Sequence, residues 1–309
     1  MPAASIRVHG WRGVAAVTLT SGELEATFVP ELNMLGISLR LGGEEFVALP
    51  GGPAGYRGRS TTGIPFLHPW ANRLGAWSYR AAGRRVDLSG SDLKTDPNGL
   101  PIHGTMWGDA WEILSLTARA RTARLQTGFD YERPELLAAF PYPHRLEMSI
   151  ENDGRSLSVT TTVAPTGGRA VPASFGFHPY LRLPGGRRSS WRLLLPARRH
   201  LSLDEHMIPT GDAVDEAAES EPIGSRTFDD GYELTGRRTL GIEGAGRRLS
   251  VRLDDGYPFA QVFAPPRANF VCLEPMTAPT NALLAGGAPL VEAGERFTAR
   301  YRIVPEPIP

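Results

Sequence analysis

The chain has 309 residues, with 33 basic and 33 acidic side chains in balance and a hydrophobic share of 41%. That composition suits a globular protein with a large buried core and excludes a disordered chain. Zero formal charge gives nucleic acid or an anionic membrane no footing as a partner, and a lone cysteine, Cys272, excludes an intrachain disulfide.

The first residues lack a charged segment followed by an apolar one, and no apolar run approaches the ~18 residues of a membrane span. A cytoplasmic location is therefore expected. AAVTLT (15–20) and ELEATFV (23–29) flank Ser21-Gly22 as a hairpin. WEILSLTA (111–118) and ARLQTGFD (123–130) form a second pair, and PELLAAF (134–140) predicts one or two helical turns. RLEMSIE (145–151) and RSLSVTTTV (155–163) flank Asn152-Asp153-Gly154, a third hairpin. The acidic stretch 212–220 reads as loop. GRRLSVRLD (246–254), FAQVFA (259–264), NFVCLEP (269–275) and RFTARYRI (296–303) make the C-terminal half strand-rich.

Apolar and polar residues alternate along these segments, the mark of antiparallel sheets with one buried face. The 35 glycines and 27 prolines favour short strands and many turns over long helices. Heptads, fixed-period repeats and a proline-rich linker are all missing from the sequence. The expected fold is all-β, one large antiparallel β-sandwich domain spanning 1–309. Three long segments, 50–75, 87–109 and 176–190, break the strand pattern and are rich in glycine, proline, histidine and aromatics. Loops of that length in a compact domain tend to carry function.

Candidate chemistry gathers in and near them. GIPFLHPWANR (63–73) contains His68 and ends in Asn72-Arg73; LPIHGTMWGDAW (100–111) contains His103 and Trp107. SFGFHPYL (174–181) contains His178 and Tyr180, and Pro179 holds His178 in an extended backbone. TFDDGYEL (227–234) offers Asp229 and Asp230, and FVCLEPMTAPTNAL (270–283) sets Glu274 in an apolar strand end. Strand alternation puts Cys272 and Glu274 on one face, so that face is wet or the carboxylate is buried at a cost. Each residue alone also has a structural reading: a packed histidine, a turn aspartate, a core tryptophan. Together, aromatics beside histidines and carboxylates suit a carbohydrate.

Five segments, in order, resemble the aldose 1-epimerase (galactose mutarotase) family, whose members are large β-sandwiches. PWANR (69–73) is similar to the family's substrate-binding arginine loop, IHG (102–104) to its first active-site histidine, and GFHPY (176–180) to its catalytic-acid motif. FDDGY (228–232) resembles the segment with a substrate-binding aspartate, and CLEPMTAPTNA (272–282) the motif with the catalytic base. The resemblance implies Glu274 as base, His178 as acid and His103 as support for charge at the ring oxygen. It implies Arg73, Asn72, Asp229, Trp107 and Tyr180 as substrate-binding residues, with Asp230 the alternative to Asp229. It also implies no cofactor, no metal, a small sugar as partner, and a monomer or homodimer.

The chemistry requires a proton to leave the C1 hydroxyl while another reaches ring oxygen O5, so a base and an acid are expected on opposite sides of the sugar. A carboxylate near His178 is expected to raise its pKa and keep it charged. The rival readings are weaker. There is no His-x-His, His-Glu-x-x-His or cysteine pair for a metal. A glycosidase pair of Glu274 and Asp229 leaves the histidines unused, and a lone Cys272 reads as a small hydrophobe. A noncatalytic sugar-binding module and an epimerase of a hexose 6-phosphate or other acidic sugar remain as alternatives, the latter through Arg57, Arg59 and Arg73.

Overall fold

A computed structural model describes residues 3–308. Five strands between Ser5 and Glu45 pair in chain order as an antiparallel meander. A nine-stranded antiparallel sheet runs from Glu112–Arg119 at one edge to Glu219–Pro222 at the other. Along His144–Asn152 in that sheet, buried and half-buried residues alternate without a break, because one face turns to the core.

The second large sheet carries the candidate site. Its strands are β1 (Phe66–Leu67), β2 (Gly176–Phe177), β3 (Tyr180–Leu181), β4 (Arg198–Leu203), β5 (Pro209–Glu216), β6 (Phe228–Glu233), β7 (Phe259–Ala264) and β8 (Val271–Met276). They lie in the order β5-β4-β6-β7-β8-β2-β1, with β3 also paired to β8. The two large sheets face each other across the core. Phe177 of β2 sets its ring 4.9 Å from Tyr301 of the nine-stranded sheet. Val262 and Leu273 are buried in one cluster with Val251 and Ile303. The expected all-β antiparallel sandwich is the fold that forms, with apolar burial between the sheets as its main stabilisation.

The predicted hairpins form at their expected places, and the helix expected at 134–140 is Pro134–Ala139, with proline at its start. One segment departs from expectation. The acidic stretch 212–220 is strand, not loop: β5 takes in residues up to Glu216, and Glu219–Pro222 edges the nine-stranded sheet. Two of its carboxylates are paired with cations from neighbouring strands, while Asp212 and Asp215 stay exposed. Glu216 meets Arg198 at 2.5 Å and His200 at 2.8 Å, and Glu219 meets Arg198 at 3.0 Å. Charge density suggested a solvated turn, but cross-strand cations supplied from elsewhere in the chain turn it into edge strand. No helix among the described residues is long and apolar enough to cross a membrane.

His68, the histidine whose role the sequence leaves open, is a core residue. His144 Nδ1 donates to the Tyr142 carbonyl at 2.6 Å, so in the neutral pair His68 Nε2 donates to His144 Nε2 at 2.8 Å. Phe66 stacks on His68, and Tyr131 on His144. Burial lowers both pKa values, that of His144 to about 4. The unfolded chain takes up a proton near pH 6.5 that folded His144 refuses until about pH 4. Its stabilising contribution is therefore complete above 6.5 and is lost as pH falls through that window, up to ~3 kcal/mol. Thermal melts of His144→Gln are expected to depend less on pH between about 6.5 and 4 than those of the parent. Equal pH dependence would show that this histidine does not titrate with unfolding.

Candidate active site

Strand register builds one half of the site. Asp229 of β6 pairs with Phe263 of β7, Gln261 of β7 with Glu274 of β8, and Cys272 of β8 with Tyr180 of β3. Gly176 of β2 pairs with Met276 of β8. His178 lies two residues from each of Gly176 and Tyr180, so the same register sets it opposite Glu274. Alternation then brings Asp229, Gln261, Phe263, Glu274, His178 and Tyr180 to one face of the sheet. Pro179 interrupts the ladder there, since it has no N–H to give. The His178 N–H goes instead to the Pro65 carbonyl (3.2 Å) and the Tyr180 N–H to the Gly63 carbonyl (2.7 Å). Gly176 is required by space: a Cβ would stand 2.7 Å from the Pro275 carbonyl oxygen.

Two of the long loops build the other half by clasping each other. Arg73 bridges Ile102, and the His103 N–H donates to the Asn72 carbonyl at 2.9 Å. Gly104, at φ 70°, lies so close to the His68 carbonyl that a Cβ would come within 2.1 Å of its oxygen. His103 itself is left-handed, at φ 65°, a strained backbone for a side chain to occupy. The result is a cavity of about 350 Å³ between loops and sheet, within the usual range for small-molecule sites.

At its floor His178 Nε2 and Glu274 Oε1 are 3.2 Å apart, both in residues almost wholly buried, at 5% and 2% exposure. Tyr180 stacks flat on the His178 ring with centroids 4.8 Å apart, and its hydroxyl shares a hydrogen bond with Thr61 at 2.6 Å. His103 stands edge-on to His178, ring centroids 5.5 Å apart. Arg73 is the hub of the polar wall. Its Nε donates to Asp96 (2.9 Å), Nη1 to Asn72 (3.0 Å) and Nη2 to Asp229 (3.2 Å). The second Asp229 oxygen accepts from Gln261 at 2.8 Å.

Burial decides the electrostatics. It raises the Glu274 pKa well above the carboxylate range, with Asp229 adding to the rise and Arg73 opposing it. It lowers His178 to about 3, with Lys94 contributing. His103 is lowered too, by burial first and then by His178, Lys94 and Arg73. A carboxylate near His178 was expected to raise its pKa; burial acts in the opposite direction and is the larger influence. Burial thus disfavours charge on both members of the pair. Glu274 and His178 are neighbours on one sheet face and do not confront each other across the cavity.

A sequence profile of the aldose 1-epimerase family matches residues 37–304. The chain belongs to that family. An uncharacterized Escherichia coli K12 protein, YihR, is 29% identical to it over 253 residues, 77% of either chain. Among solved structures, this aldose 1-epimerase family member is similar to a galactose mutarotase-like protein from Clostridium acetobutylicum, with a TM-score of 0.88, 18% identity and 99% of both chains covered. It is also similar to galactose 1-epimerase from Lactobacillus acidophilus, with a TM-score of 0.80, 14% identity and 99% of both chains covered. Those two likenesses establish a shared fold.

Of the expected residues, Glu274, His178, His103, Arg73, Asn72, Asp229 and Tyr180 all line the one cavity. Asp230 points the other way and meets His200 at 3.3 Å. Trp107 is not on the cavity wall. It is buried against Tyr56, behind His103 and beneath the Lys94 ammonium, which sits 5.1 Å from its ring centroid. Arg57 and Arg59 do not reach the cavity either, and Arg59 is tied to Asp92. His178, Cys272 and Glu274 bring ligand-type atoms within 4.8 Å of one another. Burial and Glu274 raise the Cys272 pKa.

Lys94, Asp96 and Gln261 line the cavity without having been singled out. Lys94 is the only lysine in the chain, and Gln261 the only polar residue in FAQVFA; both were usable signals. Asp96 was hidden in a turn, where it also accepts from the N–H groups of Asn98 and Leu100. Asp96→Ala is expected to lower stability in urea unfolding by about 3 kcal/mol, because it strips a half-buried guanidinium of its best partner. An unchanged midpoint would mean that Arg73 is held without it.

Proposed function

We propose that this chain is an aldose 1-epimerase, interconverting the α and β anomers of a free aldose by acid/base-catalysed ring opening. The observation that carries the reading is the Glu274–His178 pair, 3.2 Å apart and facing the cavity. The two sugar oxygens that exchange protons, O1 and O5, are both bonded to C1, so neighbouring groups serve them. With one proton on the pair, the working form is carboxylate beside imidazolium. Glu274 then takes the proton of the C1 hydroxyl while His178 gives its proton to O5, and the C1–O5 bond breaks. Rotation about C1–C2 turns the aldehyde, and the reverse transfers close the ring as the other anomer. Protons balance over the cycle, and no cofactor enters it.

Around this step His103 supports charge at O5, and Asp229, Gln261, Asn72 and Arg73 hold hydroxyls. Tyr180 fixes the plane of the His178 ring. Glu274→Gln and His178→Asn are each expected to slow mutarotation of fresh α-glucose or α-galactose, followed by optical rotation, about a hundredfold or more. Near-parental rates in both would remove the assignment. Activity needs one proton on the pair, so it ends where a second proton binds or the only one leaves. His178 is lowered and Glu274 raised, which pushes the acid limb below the ordinary histidine range and the alkaline limb far above the carboxylate range. A kcat/KM profile that falls at the usual histidine pKa on the acid side would contradict that sharing.

A second reading, an aldose carrying an anionic group, has one observation in its favour. Arg73 is taken up by Asp96 and Asp229, and Lys94 is the cavity cation left without a carboxylate partner among the described residues. Lys94 lies over Trp107, which backs His103; with His103 at O5 as proposed, an anionic substituent on C5 would be within its reach. Saturation-transfer NMR on glucose and glucose 6-phosphate, with parent and Lys94→Met proteins, separates the two. A loss at least tenfold greater for the phosphate supports the anionic substrate; equal loss supports the neutral one.

A further inference from the structure

A second cavity, of about 680 Å³, opens where the turn between β7 and β8 meets the segments around Arg188 and Ser225. It shares no residue with the Glu274 cavity. Arg187, Arg188 and Arg267 line it with Ser189, Ser225 and Asn269, and no carboxylate does. In a chain with equal numbers of acids and bases, such a local excess of one sign is self-repelling until an anion relieves it.

Arg188 separates this cavity from an ordinary basic surface. It is only 6% exposed. Its Nη1 donates to the Ala264 carbonyl at 3.1 Å, and its backbone N–H is held by Asn269 at 2.8 Å. No carboxylate among the described residues lies within 4.0 Å of it. Its Nε and Nη2 donate to no protein acceptor among the described residues, and both keep some exposure. Arg198, equally buried, shows the usual arrangement by comparison, paired with both Glu216 and Glu219. A buried guanidinium is costly without a counter-charge, and burial does lower the Arg188 pKa.

We propose that this cavity binds a phosphomonoester, with its dianionic phosphate on the Arg188 fork. A guanidinium presents paired donors that match phosphate oxygens, and a dianion offsets more than one arginine. The volume far exceeds that of a bare oxyanion and leaves room for an organic part beside the hydroxyls of Ser189 and Ser225. Arg187 and Arg267 are exposed and free to close over the ligand.

Isothermal titration calorimetry at low ionic strength tests this with glycerol 3-phosphate, which has no aldose ring to occupy the Glu274 cavity, and with acetate as a monoanion control. The expected result is saturable 1:1 binding of the phosphate ester, at least tenfold tighter than acetate. The double variant Arg187→Gln/Arg267→Gln, which changes only exposed side chains, is expected to weaken it at least tenfold, and Glu274→Gln to leave it unchanged. Lack of saturable binding overturns the proposal. So does binding that survives in the arginine variant and disappears in Glu274→Gln, since the ligand would then belong to the other cavity.

Discussion

Glu274 and His178 are kept 3.2 Å apart in surroundings where burial disfavours charge on both. Two such groups in water would ionise separately, one as a carboxylate and one as a half-protonated imidazole. Desolvation shifts them in opposite directions, Glu274 up and His178 down. The rest of the site follows from the need to hold that pair. Antiparallel register places the two residues opposite each other, and Pro179 releases the backbone just there. Gly176 allows the strands to close beside Ala71 and Pro275.

The loops solve a different problem, that of arranging several charged side chains in a small volume. Arg73 binds Asp96, Asn72 and Asp229 at once, so two carboxylates and an amide share one planar donor set. This leaves Asp229 oriented toward the cavity with its remaining bond from Gln261. The clasp between the loops at 68–73 and 102–105 depends on close backbone approach at Gly104, where any side chain would collide with His68. The sheet thus supplies Glu274, Asp229 and Gln261, and the cross-braced loops supply Asn72, Arg73 and His103.

How far the sequence shows this depends on the residue. Period-2 alternation marked most of the strands because a one-sided sheet imposes it on every residue. It missed the acidic strand residues near Glu216 and Glu219, whose partners Arg198, His200 and Arg226 are known to be near only once the sheet is assembled. Histidines were the hardest to sort. His68-Pro69 and His178-Pro179 look alike as dipeptides, yet one ring is packed against His144 in the core and the other meets Glu274. Trp107 was expected on the cavity wall and instead backs His103 and Lys94, a distinction of a few ångströms that no spacing rule resolves.

By itself the sequence determined the all-β class, the positions of most strands, the family resemblance and which residue types gather in the long loops. These are local properties: alternation, turn chemistry and short motifs are written in consecutive residues. Only the tertiary structure decided which aspartate faces the cavity, that Glu274 and His178 are neighbours on one sheet face, and that burial pulls the His178 pKa down. Those outcomes depend on strand register and on exclusion of water by residues distant in the chain, and neither is encoded in any one stretch of it.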